Sequence, residues 1–183
     1  MGISIQNNTT HEPQTHWFAM RVVGPRVYIG VRNDLTELGI EFFQPMRTAL
    51  KRTRARTVRT EVPIVGGLFF CHGIEKEILD YCRRVEYRLQ FIIPRGKTIS
   101  DRIIIPDDQM NRFIEAVRTH DYEYLAVDDA IKAVGKLVRI HGGALDGATG
   151  RLQAARGKRR FILLLENLMA VSITLTTEVI EVI

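Results

Sequence analysis

Five histidines (His11, His16, His72, His120 and His141) and two cysteines (Cys71 and Cys82) are the residues from which a metal site would have to be built. None of the histidines stands four residues from another, and no HExxH spacing occurs, so no metal site is expected. The cysteines are eleven apart and have no second pair, which excludes a four-cysteine zinc site and a disulfide framework and suits a reducing cytosol. Two carboxylate pairs invite an acid–base reading. Asp107-Asp108 is better explained as acidic charge at a helix start, and Asp128-Asp129 as solvation of a linker. GxxxxGK[ST], GxSxG and GxGxxG are all missing, so neither a cofactor nor an enzymatic activity is expected.

The remaining chemistry is electrostatic. Arg47, Lys51, Arg52, Arg54, Arg56 and Arg59 fall within thirteen residues that contain no acidic side chain. A second cluster comprises Arg156, Lys158, Arg159 and Arg160, and the net charge is +5. Such clusters attract polyanions, and phosphate contacts supply salt-sensitive affinity without reading sequence. Arg52, Arg54 and Arg56 alternate with Thr53, Ala55 and Thr57, a period of two that places the charges on one face of an extended ribbon. No aromatic residue interleaves the arginines, so base stacking is not indicated by this segment.

The elements that must carry these residues alternate. Residues 1–15 are polar and expected to be a disordered tail. Residues 17–23 read as a buried strand, and 25–39 as a helix stopped by Gly39, with Val27, Val31 and Leu35 at helical spacing. Residues 68–71 are a short apolar strand, followed by a helix through Ile74, Ile78, Cys82 and Val85. A strand follows over 87–93, with Tyr87, Leu89, Phe91 and Ile93 on one face, then an edge strand at 102–105 and a helix from Asp107. This half is α+β, a sheet covered by helices. Residues 119–134 read as a linker with at most one short helical stretch. From Gly135 five short strands separated by glycine turns predict a small closed all-β barrel. The domains are therefore drawn at 16–118 and 135–183. No apolar run approaches the ~20 residues of a membrane span, and the first residues lack the pattern of a secretory signal.

Residues 135–152, Gly-Lys-Leu-Val-Arg-Ile-His-Gly-Gly-Ala-Leu-Asp-Gly-Ala-Thr-Gly-Arg-Leu, resemble a KOW motif, with Gly150 at the position where the chain turns sharply between paired strands. Trp17 at the start of the first strand, Gly39-Ile40-Glu41, Phe43-x-Pro45 and Pro63-x-x-Gly66-Gly67-x-x-Phe70 resemble an NGN domain. In that order the two resemble the NusG-like transcription elongation and antitermination factors. Ile105-Pro106-Asp107-Asp108-Gln109-Met110 is similar to the specialised UpxY-type paralogs that serve polysaccharide operons.

The resemblance implies a cytoplasmic protein that binds the clamp helices of the largest RNA polymerase subunit through an apolar patch: Val65, Leu68, Phe70 and Phe91. The basic stretch would lie against the DNA or RNA backbone of the elongation complex. The KOW domain would meet a ribosomal protein or the Rho terminator through Leu145 and the Arg156, Lys158, Arg159 and Arg160 cluster. Leu68 and Phe70 share one side of their strand. They form an exposed patch where Phe69 alone faces helices, and are core where helices cover both faces of the sheet. Trp17 is expected in the core. A KOW-containing RNA-binding protein of the ribosome or of translation is the alternative of another class, and a housekeeping rather than specialised member of the NusG-like factors is the alternative within the family.

Overall fold

The computed structural model describes residues 14–183 except 25, 53, 55, 87 and 156. Thr15, assigned by sequence to a tail, already belongs to β1 (Thr15–Val22). Side chains alternate along β1: Trp17 and Ala19 face one way, and Phe18, Met20 and Val22 the other. All five are buried, so this central strand has a core on each side. It pairs antiparallel with β5 (Leu68–Ile74), β6 (Leu89–Phe91) and β7 (Ile104–Ile105), and β2 (Glu41–Phe43) completes the sheet on the far side of β5.

One face is covered by α1 (Val27–Glu37) and α2 (Glu75–Arg84). Their buried residues Val31, Leu35, Ile78, Tyr81 and Cys82 pack on Phe18, Met20, Phe69, Cys71, Leu89 and Phe91. Helix α1 ends at the expected stop: Gly39 has φ +67°, and Ile40 N–H bonds back to the Leu35 carbonyl. Cys71 and Cys82 are free thiols of this core, and burial pushes both up, Cys82 to about 12.

The opposite face is covered by α3 (Asp107–Thr119), whose Met110, Phe113, Ile114 and Ala116 are buried. Asp107 and Asp108 stand in its first turn, as the helix dipole favours. Both faces of the first sheet are thus helix-covered.

The second sheet departs from the expected closed barrel. It is six-stranded and open, in the order β13 (Val179–Val182), β9 (Lys136–His141), β10 (Thr149–Ala155), β11 (Lys158–Leu165), β12 (Met169–Leu175), β8 (Tyr122–Leu125). The two outer strands do not pair with each other. The apolar inner face of Val138, Ile140, Phe161, Leu163, Val171 and Ile173 has no need to curl onto itself, because α3 covers it. The sixth strand comes from residues that read as a linker. Tyr122–Leu125 pairs with β12, and α4 (Val127–Lys132) packs Ala130 on Ile162 and Ala170 on the sheet's other face. Helix α3 therefore lies between the two sheets, and Trp17, Leu68, Phe70, Phe113, Phe161 and Ile173 belong to one continuous core.

Gly150 has another reason than a sharp turn. It lies within β10, opposite Val138, and its φ is not positive. A Cβ there would meet the Ile162 carbonyl oxygen and come within 2.8 Å of the Phe161 ring. Gly150→Ala is expected to destabilise the protein by about 1–3 kcal/mol through overpacking, read as a lower urea midpoint at unchanged m-value.

At the C-terminal end of α3, His120 Nε2 lies 2.9 Å from a Glu178 oxygen, and both side chains are largely buried. Glu178 also accepts the main-chain N–H groups of Thr176 and Thr177 at 2.7 and 3.0 Å. Burial alone would raise the Glu178 carboxyl. Hydrogen bonds from main-chain N–H groups and from His120 outweigh it and hold the group below its ordinary value. A depressed folded value stabilises the native state above the unfolded carboxylate range of about 4.3 and is lost as pH falls through the folded value. Glu178→Gln should therefore cost most stability near neutrality, and the gap to the wild type should close in chemical denaturation below about pH 4.

Candidate nucleic-acid interface

The acid-free basic run folds into a two-stranded antiparallel ribbon of β3 (Met46–Arg52) and β4 (Thr57–Pro63) that pairs with neither sheet. Threonine and β-branched residues along Thr57, Val58, Thr60 and Val62 favour the extended backbone. Register assigns each cation to a face. Arg47 lies opposite Val62 and Lys51 opposite Val58 on one side; Leu50 opposite Arg59 and Arg52 opposite Thr57 make up the other.

The expected single charged face over Arg52, Arg54 and Arg56 is thus corrected. Only Arg52 is in a strand; Arg54 and Arg56 lie at the tip between the strands, where the alternation of an extended chain no longer applies. Cations consequently point to both sides and off the end of the ribbon. All six are exposed. Among the described residues no carboxylate pairs with Arg47, Lys51, Arg52, Arg54 or Arg59. A ribbon charged on both sides attracts a phosphate backbone without demanding one docking orientation.

At the foot of the ribbon a groove of about 690 Å³ separates it from the edge strand β8. Met46, Arg47, Thr48, Glu61 and Ile64 line one wall, and Tyr122, Glu123 and Tyr124 the other. The two tyrosine rings meet edge to face at 5.1 Å. They stand on the inner face of β8, opposite Ile173 and Val171, and are half-buried there. Sequence reasoning misses them because they lie more than seventy residues from Arg47 on the opposite wall. Their one signal is a Tyr-x-Tyr alternation inside a segment that reads as linker.

The expected apolar docking patch is not on the surface. Leu68 is 4% exposed and Phe70 0%, both in the core beneath α3, with Phe70 near Phe43, which in turn meets Phe113 edge to face. Phe91 belongs to the other core, since pairing with Met20 turns it towards α1 and α2, where it meets Phe18 edge to face. The Arg102 guanidinium stands 5.6 Å from the Phe91 ring centroid. Only Val65 is exposed, at 38%, in the turn before β5. Trp17 is buried as expected and stacks on His72.

The C-terminal contact residues are also redistributed. Leu145 is fully buried, because the short 3-10 turn Gly143–Leu145 packs on α3. A side chain in that position presents nothing to a partner. Arg160 is largely covered and lies 3.5 Å from Glu123, whereas Lys158 and Arg159 are exposed, with Arg159 donating to the Thr176 carbonyl. Arg156 lies outside the described residues. No group of three potential metal-ligating residues occurs among the described residues, nor a helix long and apolar enough to cross a membrane.

No protein-family model and no curated protein sequence matches the chain. It is similar to a solved structure described as "Domain interaction in Thermotoga maritima NusG", with 14% identity over 87% of this chain and 93% of that one, at a TM-score of 0.44.

A buried apolar side chain and a surface docking residue differ sharply in what truncation does. Leu145→Ala is expected to cost about 2–5 kcal/mol and Phe70→Ala about 3–5 kcal/mol in equilibrium unfolding. A change within about 0.5 kcal/mol, the usual size at a solvated site, would contradict the burial described.

Proposed function

We propose that this chain is a non-catalytic transcription elongation factor of the NusG kind, which touches the nucleic acid of an elongation complex through the β3–β4 ribbon. The observation that carries the reading is the exposed ribbon with cations on both faces and at its tip. Phosphate contacts from such a ribbon add affinity without sequence selection, as suits a factor that travels with the polymerase. The order of NGN-like and KOW-like segments supports RNA polymerase as the protein partner and reduced pausing or termination as the outcome. The Ile105–Met110 stretch favours a specialised paralog serving particular operons, polysaccharide biosynthesis among them. With Leu68, Phe70 and Phe91 in the cores, the surface around Val65 at the foot of the ribbon is the part of the expected patch that remains open to the polymerase.

The test uses a transcription complex assembled from purified polymerase, template and transcript. Replacing Arg47, Lys51, Arg52, Arg54 and Arg59 together with Ala should weaken binding and flatten its dependence on salt, by roughly 0.7–0.9 in log–log slope for each phosphate no longer neutralised. Unchanged affinity and slope would overturn the reading. Glutamate at Leu68 or Phe70 would bury an unpaired charge, so loss of binding by those variants would report unfolding rather than a docking site.

A further inference from the structure

A cavity of about 510 Å³ opens between the start of α1 and the end of α2. Arg26, Arg84 and Arg88 line it, together with the apolar surface of Val27, Val31 and Val85. We infer that this cavity binds a small phosphorylated ligand of the nucleoside diphosphate kind. Its phosphates sit on the three guanidiniums and its ring system lies against the valines. The site shares no residue with the β3–β4 ribbon and does not depend on the ribbon's role.

Gly30 stands inside α1 and lines the cavity, and a Cβ built on it would meet nothing within 4 Å. Glycine within a helix costs stability relative to alanine. Here neither a positive φ nor a crowding neighbour requires it. What the missing side chain provides is the open space of the cavity. Val31 is buried and Val27 and Val85 are half-buried, so that space has an apolar floor beside its cations.

The cations of the cavity are not neutralised from within the fold. Among the described residues no carboxylate pairs with Arg26, Arg84 or Arg88, although Asp34 and Glu86 line the same cavity. Asp34 is engaged by the Tyr81 hydroxyl, which donates to it at 2.9 Å. Arg84 lies 5.6 Å from the centroid of the Tyr81 ring and suits the dipole at the end of α2, whereas Arg26 and Arg88 lie outside both helices. The main chain holds the two walls together, since the Val23 N–H donates to the Arg88 carbonyl at 2.8 Å. Arg26 and Glu86 both take left-handed backbone, at φ +61° and +54°, a costly state for side-chain-bearing residues that gathers at ligand clamps. No side chain caps the first turn of α1 and no acidic residue stands in it, so its dipole adds to the pull on an anion. Guanidiniums converging on one space favour a ligand with more than one phosphate. The valines and the Glu86 carboxylate offer inorganic phosphate nothing, but suit the ring face and hydroxyls of a nucleoside.

The experiment is isothermal titration calorimetry of the full chain with ADP, GDP, pyrophosphate and adenosine. ADP or GDP should bind at a single site with an affinity that falls as salt rises. Pyrophosphate should bind more weakly and adenosine not measurably. Arg26→Ala/Arg88→Ala should lose roughly tenfold or more in nucleotide affinity. Gly30→Gln keeps every arginine and fills the space. It should abolish nucleotide binding while its thermal midpoint stays at or above that of the wild type, which separates a blocked cavity from an unfolded chain. The ribbon-to-alanine variant controls for general attraction to basic surface and should bind the nucleotide as the wild type does. The inference is overturned by absence of binding with both nucleotides, by pyrophosphate binding as tightly as they do, or by wild-type affinity in either the arginine or the Gly30→Gln variant. An equal loss in the ribbon variant would overturn it too.

Discussion

Everything in this molecule depends on α3 having two apolar sides to serve. The inner face of the first sheet, with Trp17, Leu68 and Phe70, and the inner face of the second, with Phe161, Val171 and Ile173, would each expose a wide apolar surface if left bare. Phe113, Met110, Ile114 and Ala116 fill the space between them. Burial of apolar area is non-directional and roughly additive, so one helix can close two sheets provided they lie on either side of it. This explains why the second sheet remains open. Closure of a small sheet removes an apolar face and two edges at once, and here the face is removed by a helix while the edges persist.

An open sheet has consequences for the surface. Strand β8 becomes an edge and carries Tyr122 and Tyr124 to the foot of the basic ribbon. The same arrangement withdraws Leu145 from solvent, since its turn supports α3, and ties Arg160 to the Glu123 side chain. Surfaces that a free-standing barrel would offer to partners are thus absorbed into the fold, and a mixed aromatic and cationic groove is formed instead. The ribbon itself is independent of this exchange. It pairs with neither sheet, and its charge depends only on local sequence.

Much of the secondary structure is legible in the chain. The spacing of Val31 and Leu35, the Gly39 stop, and the Asp107-Asp108 start with Met110, Phe113 and Ile114 on one side each specify a helix through local geometry alone. Glycine turns mark the later strands for the same reason. The basic run between Arg47 and Arg59 is equally plain, because charge density needs no tertiary context to be recognised. Where local rules fail, the failure has a physical origin. Alternation along 52–56 suggests one charged face, but β3 ends at Arg52 and β4 begins at Thr57, so Arg54 and Arg56 lie outside both strands. Gly150 reads as a turn glycine, yet it is needed because a carbonyl and an aromatic ring from β11 crowd the place of a Cβ.

The sequence by itself determined the three longer helices and most of the strands, where positive charge concentrates, and that Trp17 is core. Each follows from periodicity, capping or composition, which act over a few residues. Only the tertiary structure decided that Leu68, Phe70 and Leu145 are interior, that residues 122–132 build a sheet edge and a helix, and that two tyrosines face the ribbon. An amphipathic strand states that one face is apolar, not what will cover it. That choice belongs to the packing of α3 between the sheets, an interaction among residues far apart in the chain.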